Sequence, residues 1–398
     1  MNNFKKDFPI FNNNKDLVFF DSTASSQKPS MVIDWIKEYL ENDYSNIHRW
    51  MYDIAINSEN LYKKSKEIVA DYLGATDYKE VIYSYNATYA LNLLSSSLSK
   101  SRFLKKWDKV LLSIVEHHAN VVPWLILKEE IWIEVEFVNV DDNFNLDLLD
   151  FEKKYDSNVK VISITHVSNV TWQVFNLEEI GKRKRDDTIF IIDASQSVPH
   201  FKVDVKKLNC DALFFTWHKV FADSGIWVLW WKKELLNSLT PSFSGGWAIW
   251  EVNCDSFTNS SLPDKFEPGT PNMTWAVSLL KAFNYIDSIG WFETIEKYED
   301  ELVWYFLEKL SKFDNIKLIG GSVKENRVWV FSLSFEWIHS NDVADYLAEN
   351  NIAVRAWKHC AHPLFDKLWY ANSLRASLYI YNTKEDIDTF FDVIWNLK

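Results

Sequence analysis

Lys219 stands three residues beyond an apolar run, ALFFT (212–216), and Asp193 closes another, TIFIID (188–193). Charged side chains at the ends of such runs are expensive to bury unless a partner meets them. His117 and His118 follow KVLLSIVE, and Asn169 follows ISITHVS. Each has a structural explanation taken singly; Asp193, for instance, could cap a helix. Four strand ends that deliver His, Asn, Asp and Lys to one rim are harder to explain that way, because ligands gather at the carboxyl ends of parallel strands. One chemistry uses the whole set. A pyridine aldehyde needs a lysine for a Schiff base, a carboxylate for its ring nitrogen and a flat group to stack on the ring. Its phosphate needs a helix N-terminus, and YSYNATYALN (83–92) supplies one at Ala87-Thr88.

The elements that would position these residues alternate along the chain. Strand candidates are 81–85, 109–114, 135–140, 160–167, 188–194, 212–216 and 226–231, with helical patterns at 59–73 and 177–185 between them. That rhythm predicts an α/β fold, a mostly parallel seven-stranded sheet with helices on both faces. After about residue 285 it gives way to a long helix (291–313), KLIGG, VWVFSLSF and two further helices (342–349 and from 384), a smaller α+β unit. The expected division is a large domain over 16–284 and a small one built from 1–15 and 285–398.

Bulk properties exclude several classes. A net charge of −13 argues against nucleic acid or an anionic membrane as partner. No apolar run reaches the roughly 18 residues of a membrane span, and MNNFKKDFPIF lacks the core of a signal peptide. Three widely separated cysteines, Cys210, Cys254 and Cys360, have no metal-site spacing and suit a reducing cytoplasm. One number is abnormal. The chain has 20 Trp and 9 Gly, and together they fill the share, about 7%, that glycine alone usually holds. Tryptophan stands where turns ask for glycine, at Trp107 in KKWDKV, Trp247 in GGW and Trp291 in SIGW. The expectation is that many of these codons are stop codons that the source organism reads as glycine.

The chain resembles the SufS-type cysteine desulfurases, within the fold-type I pyridoxal-phosphate enzymes. The resemblance runs from FFDSTASSQKP (19–29) through HRW (48–50), EHHANVVPW (116–124), THVSNVTWQ (165–173), DASQSVPH (193–200), TWHK (216–219), FEPGTPN (266–272) and RAWKHCAHPL (355–364) to RASLYIYNT (375–383). It implies pyridoxal 5'-phosphate bound through Lys219, with Asp193 at the ring nitrogen and His117 stacked on the ring. Gln196 and Asn169 would meet the phenolic oxygen. Ala87, Thr88, Thr216 and His218 would hold the phosphate, and Thr270 would complete that site in the partner of a homodimer. Arg375, with Arg355 and Asn169, would grip the substrate carboxylate, and no metal is required.

Cys360 would take sulfur from L-cysteine, or from its selenium analogue, as a persulfide and leave L-alanine. A thiolate is needed for this, and Lys358 and His359 are the nearest cations in the sequence. The short HCAHP segment resembles the class that passes sulfur to a SufE- or SufU-like acceptor for iron–sulfur cluster assembly. The family has glycine where Trp50, Trp172, Trp217, Trp227, Trp247 and Trp357 stand, whereas Trp124 and Trp230 match aromatic positions. Were Trp217 real, its ring would be expected beside Lys219 and the phosphate cradle. Two rivals remain: another fold-type I enzyme (aminotransferase, epimerase or kynureninase-like lyase), which has no use for Cys360, and a non-catalytic scaffold of the assembly machinery.

Overall fold

The computed structural model describes residues 4–48, 51–225, 227–321 and 327–397, so Trp50 lies outside the described residues. All seven apolar runs enter one sheet, as β1 (Val81–Ser84), β2 (Lys109–Ser113), β3 (Glu134–Val138), β4 (Val159–Thr165), β5 (Ile189–Asp193), β6 (Ala212–Thr216) and β7 (Trp227–Trp231). Their spatial order is β1-β7-β6-β5-β4-β2-β3. The neighbours from β6 to β3 are parallel, while β7 runs antiparallel to both β6 and β1. The reversal has a simple cause. Only ten residues separate Thr216 from Trp227, and a parallel return needs a crossover of a dozen or more residues.

Side chains along β5 alternate between two cores. Phe190 and Ile192 join one apolar cluster, which also holds Val69 and Leu73 of α1 (Asp53–Leu73). Ile189 and Ile191 join the other, with Leu91 and Leu94 of α2 (Ala87–Lys100) and Trp124 and Leu127 of α3 (Val122–Ile131). Burial on both faces explains why these strands read as unbroken apolar runs rather than alternating ones. Each fully buried Ile or Phe contributes roughly 1.5–3 kcal/mol.

Beyond α4 (Met273–Ser288) and α5 (Trp291–Leu310) comes a second, antiparallel sheet. It is built from β8 (Ile316–Ile319), β9 (Val330–Phe335), β10 (Arg355–Trp357) and β11 (Ser373–Ser377), in the order β8-β9-β11-β10. Helices α6 (Ser340–Glu349), α7 (His362–Leu368) and α8 (Lys384–Asn396) accompany it. The chain's start is fastened to this region. Lys5 pairs with Asp386 at 2.7 Å, Phe8 meets the Tyr381 ring at 4.9 Å, and Val18 pairs in parallel with Ile352.

The backbone bears directly on the tryptophan question. Among the described residues Trp107, Trp132, Trp172, Trp247, Trp291, Trp357 and Trp369 have φ of 73°, 65°, 46°, 71°, 61°, 107° and 60°. Trp107, Trp247 and Trp291 are the three that turn chemistry had singled out. Trp132 and Trp369 end α3 and α7 in the left-handed cap conformation that Gly74 takes at the end of α1, where glycine is the usual residue. A left-handed conformation costs an L-residue about 1–2 kcal/mol. Trp369 is 93% exposed and has little packing to lose. Trp369→Gly should therefore raise unfolding stability by about 1 kcal/mol, while Trp124→Gly, at a buried site, should lower it by about 3–5 kcal/mol. Denaturant titration of the two variants measures both signs.

Candidate active site

A cavity of about 180 Å³ opens at the carboxyl ends of β4, β5 and β6. Lys219, Asp193, His117, Asn169, Gln196, His218, Ala87, Thr88, Arg355 and Arg375 all line it. A larger groove of about 660 Å³, bordered by Asn145, Asn176 and Lys202, contains none of the expected site residues. Chemistry and not size picks out the smaller one.

Asp193 ends β5 in register with Thr165 of β4 and Phe214 of β6. Its carboxyl is buried, accepts the Ser195 N–H at 2.9 Å, and is pushed above its usual range by that burial. No described residue forms an ion pair with it within the salt-bridge distance. Lys219 lies in the turn after β6 and is accessible only in part. Enclosure lowers its pKa to about 8, against the opposing pull of Asp193. Burial thus presses both groups toward neutrality.

His117 Nδ1 accepts the Ala119 N–H at 3.1 Å, so the ring proton sits on Nε2. Burial, then Lys219, lowers its pKa to about 3, which keeps a flat uncharged ring over the cavity. Asn86 caps α2 by accepting the Tyr89 N–H at 2.7 Å, and the N–H groups of Ala87 and Thr88 begin a helix whose own ladder gives them no acceptor. Thr216 ends β6 with its buried hydroxyl unpartnered among the described residues. A buried carboxyl without a cation, a neutral imidazole, a lowered lysine and a helix N-terminus form a donor set that fits pyridoxal phosphate.

Arg375 is fully enclosed, and burial lowers its pKa to about 10. It donates to Asp21 at 3.2 Å and to the Asn169 carbonyl at 3.4 Å, while its buried Nε finds no partner among the described residues. Arg355 is exposed at the mouth. Gln196 donates to the Thr23 carbonyl at 3.4 Å. Thr270 does not reach this cavity. It is exposed in the FEPGTPN loop, beside Tyr85 and Tyr89.

Cys360 is half-buried in the turn between β10 and α7, next to the cavity-lining His359. Its carbonyl accepts the His118 N–H at 2.8 Å, and Asn169 Nδ2 donates to the His359 carbonyl at 2.8 Å. Two expectations need correction here. Lys358 is paired with Asp366 at 2.7 Å, and burial drives His359 well below its usual range, so it is neutral. Likewise the Trp217 ring turns away from the cradle into the core, with centroids 4.7 Å from Phe215 and 4.9 Å from Phe283. The tryptophan in the cavity wall is Trp227, 5.4 Å from the His218 ring.

Residues outside the motifs contribute as well. Asp21 follows an apolar pair, Phe19-Phe20, the same signal that marked Asp193. The His218 carbonyl accepts from Ser26 N at 3.0 Å and Lys28 Nζ at 2.9 Å, so the segment after Asp21 holds the lysine turn. Glu116 is buried beneath His117, accepting from Ser113, from Thr165 N at 2.8 Å and from Asn120 at 2.7 Å. Burial raises its pKa to about 8.

An amine with a pKa near 8 sets a pH dependence. Only its neutral form attacks an aldehyde, so capture of pyridoxal phosphate by the apoprotein should quicken about tenfold per pH unit below pH 8 and level off above. Stopped-flow absorbance follows it, and a profile still rising tenfold per unit at pH 10 would contradict the lowered lysine.

The aminotransferase class-V family model matches residues 18–390. Proteins named "Probable cysteine desulfurase" from Synechocystis and Pyrococcus abyssi are 36% and 35% identical to this chain, covering 97% and 99% of it and 93% and 96% of themselves. Among solved structures, the apo cysteine desulfurase of Thermococcus onnurineus superposes with a TM-score of 0.93 at 34% identity, covering 99% of this chain and 96% of its own. The S-sulfonic acid form of the Escherichia coli cysteine desulfurase CsdA gives 0.91 at 28%, covering 99% and 97%. Matched over nearly its whole length by the family model and by these relatives, the chain belongs to the aminotransferase class-V family.

Proposed function

We propose that this chain is a pyridoxal-phosphate-dependent cysteine desulfurase of the SufS kind, converting L-cysteine to L-alanine and loading the sulfur on Cys360. The observation that carries the reading is the bond from His118 N–H to the Cys360 carbonyl, which sets the thiol's turn against the wall that holds His117 and Lys219. The cofactor, when bound, supplies the electron sink that makes the substrate's α-proton acidic. Lys219, Asp193, His117, Gln196 and Asn169 would hold its ring end, and Ala87, Thr88, Thr216 and His218 its phosphate.

The protein's own groups do the rest. Arg375, oriented by Asp21 and the Asn169 carbonyl, offers a planar fork to the substrate carboxylate, with Arg355 at the mouth. Lys219 is placed to move a proton at the α-carbon. The Cys360 thiolate bonds to the substrate sulfur as the carbon–sulfur bond breaks. The pair left on carbon takes a proton, giving alanine and an enzyme persulfide. Cys360 sits in a short turn rather than on a long arm, which favours hand-over to a SufE- or SufU-like acceptor in the cytoplasm for iron–sulfur cluster assembly.

A homodimer is part of this reading, because Thr270 lies exposed and away from its own chain's cavity. The large domain would extend from residue 16 through α4, since a boundary at 284/285 would cut that helix. Cys360→Ala should keep the cofactor's colour and lose at least 100-fold in sulfide release from L-cysteine. Unchanged release would instead favour another fold-type I activity.

The functional chain, in this reading, carries glycine at a subset of its tryptophans. Seven left-handed tryptophans support it. So do the buried indole N–H groups of Trp172, Trp217 and Trp231, which have no acceptor among the described residues. Trp124 and Trp230, the two that match aromatic positions, donate to Asn120 and Glu80. Seven left-handed sites at about 1–2 kcal/mol each approach the whole stability of a domain, about 5–15 kcal/mol. Expressed as written, the protein should be insoluble or colourless. With glycine at those sites and at Trp217 and Trp227, it should be soluble and yellow. An ordinary tryptophan codon at these positions, or a yellow literal product, would overturn the reading.

A further inference from the structure

We infer that His118 and His362 form a clamp that positions the Cys360 thiol for sulfur transfer, an inference that rests on Cys360 being the sulfur acceptor. The turn they hold is under backbone strain. Trp357, His359 and Cys360 all have positive φ, at 107°, 47° and 59°. Non-glycine residues keep such conformations only where their surroundings over-determine them. Glycine at residue 357 would relieve the first of the three and leave the other two.

What over-determines the turn comes largely from His118. Its N–H donates to the Cys360 carbonyl at 2.8 Å. Its Nε2 receives the His362 N–H at 3.2 Å and faces His362 Nδ1 at 2.9 Å. The two rings lie 4.6 Å apart at 31°. A backbone N–H can only donate, so His118 Nε2 must be unprotonated and His362 Nδ1 must carry the proton. The pair is therefore directional, with neutral His118 accepting both bonds. Burial, and then His362, hold His118 below the usual histidine range, consistent with that assignment.

Residues 360 and 362 are thus tied on either side of Ala361 to the residue that follows His117. The clamp fixes the sulfur-bearing turn to the element carrying the flat ring of the cavity. Neither histidine lines the cavity, so both are positioning residues and not catalytic ones.

The test uses the holoenzyme, in whichever chain, literal or glycine-bearing, takes up the cofactor. His118→Leu and His362→Leu should each keep the cofactor's absorbance and cut single-turnover persulfide formation at least tenfold. Each should also speed alkylation of Cys360 by iodoacetamide several-fold, read on the Cys360 peptide by mass spectrometry. Combining them should cost no more than His118→Leu alone, because that change already removes both bonds that His362 makes to His118 Nε2. His118→Gln, whose amide oxygen can stand near the Nε2 position, should recover most of the rate. His118→Asn, too short to reach His362, should not, and it replaces the leucine variant if that fails to fold. Additive losses, a wild-type rate in His118→Asn, or no recovery in His118→Gln would each overturn the clamp. Sulfide release that survives Cys360→Ala would instead remove the reading beneath it.

Discussion

Taking the Lys219 amine out of water is the constraint on which the site depends. An ammonium group in that enclosure is disfavoured, and the opposing charge of Asp193 recovers only part of the loss. The result is an amine whose pKa is held down to about 8. The same enclosure disfavours the Asp193 carboxylate and the His117 imidazolium. In the proposed function, Lys219 would then serve as the nucleophile and His117 as an uncharged stacking surface, while Asp193 would regain its charge only against a cation in the cavity.

That enclosure follows from the sheet. Both faces of β5 are buried in apolar clusters, so Asp193 can meet polar groups only at the strand's end. The reversal at β7 closes the wall. It returns the chain antiparallel beside β6 and leaves His218 and Lys219 at the rim. The chain's start completes the arrangement. Ser26 and Lys28 bind the His218 carbonyl, and Asp21 steadies Arg375 from 354 residues away.

What could be read from residue order was what sequence-local physics marks. Continuous apolar runs gave all seven strands of the large sheet, and polar residues at their ends gave Asp193, Lys219, His117 and Asn169. Long-range pairings were invisible. Nothing near Cys360 announces that His118, 242 positions earlier, binds its carbonyl, or that Lys358 is already paired with Asp366. Side-chain direction was equally hidden. Trp217 precedes His218 and Lys219, yet its ring points into the core between Phe215 and Phe283, and Trp227 from the next strand enters the cavity wall instead.

The tryptophans divide by two independent physical tests. One is backbone conformation, where a bulky side chain at positive φ meets steric resistance regardless of its neighbours. The other is hydrogen bonding, where a buried indole N–H without an acceptor carries an unrecovered desolvation cost. Trp172 fails both, with φ of 46° and an unpartnered N–H. Trp124 and Trp230 pass both, since neither has positive φ and each donates to a buried acceptor. A chain adapted to its tryptophans would have no reason to place them at the left-handed ends of α3 and α7, where the absence of a side chain is what the geometry favours. Strain at the Cys360 turn is different in kind. It includes His359 and Cys360 as well as Trp357, and hydrogen bonds from His118 and Asn169 hold the first two. On the proposed reading, strain that is bonded into place would serve sulfur transfer, whereas strain scattered over helix caps and surface turns would come from tryptophan standing where the functional chain has glycine.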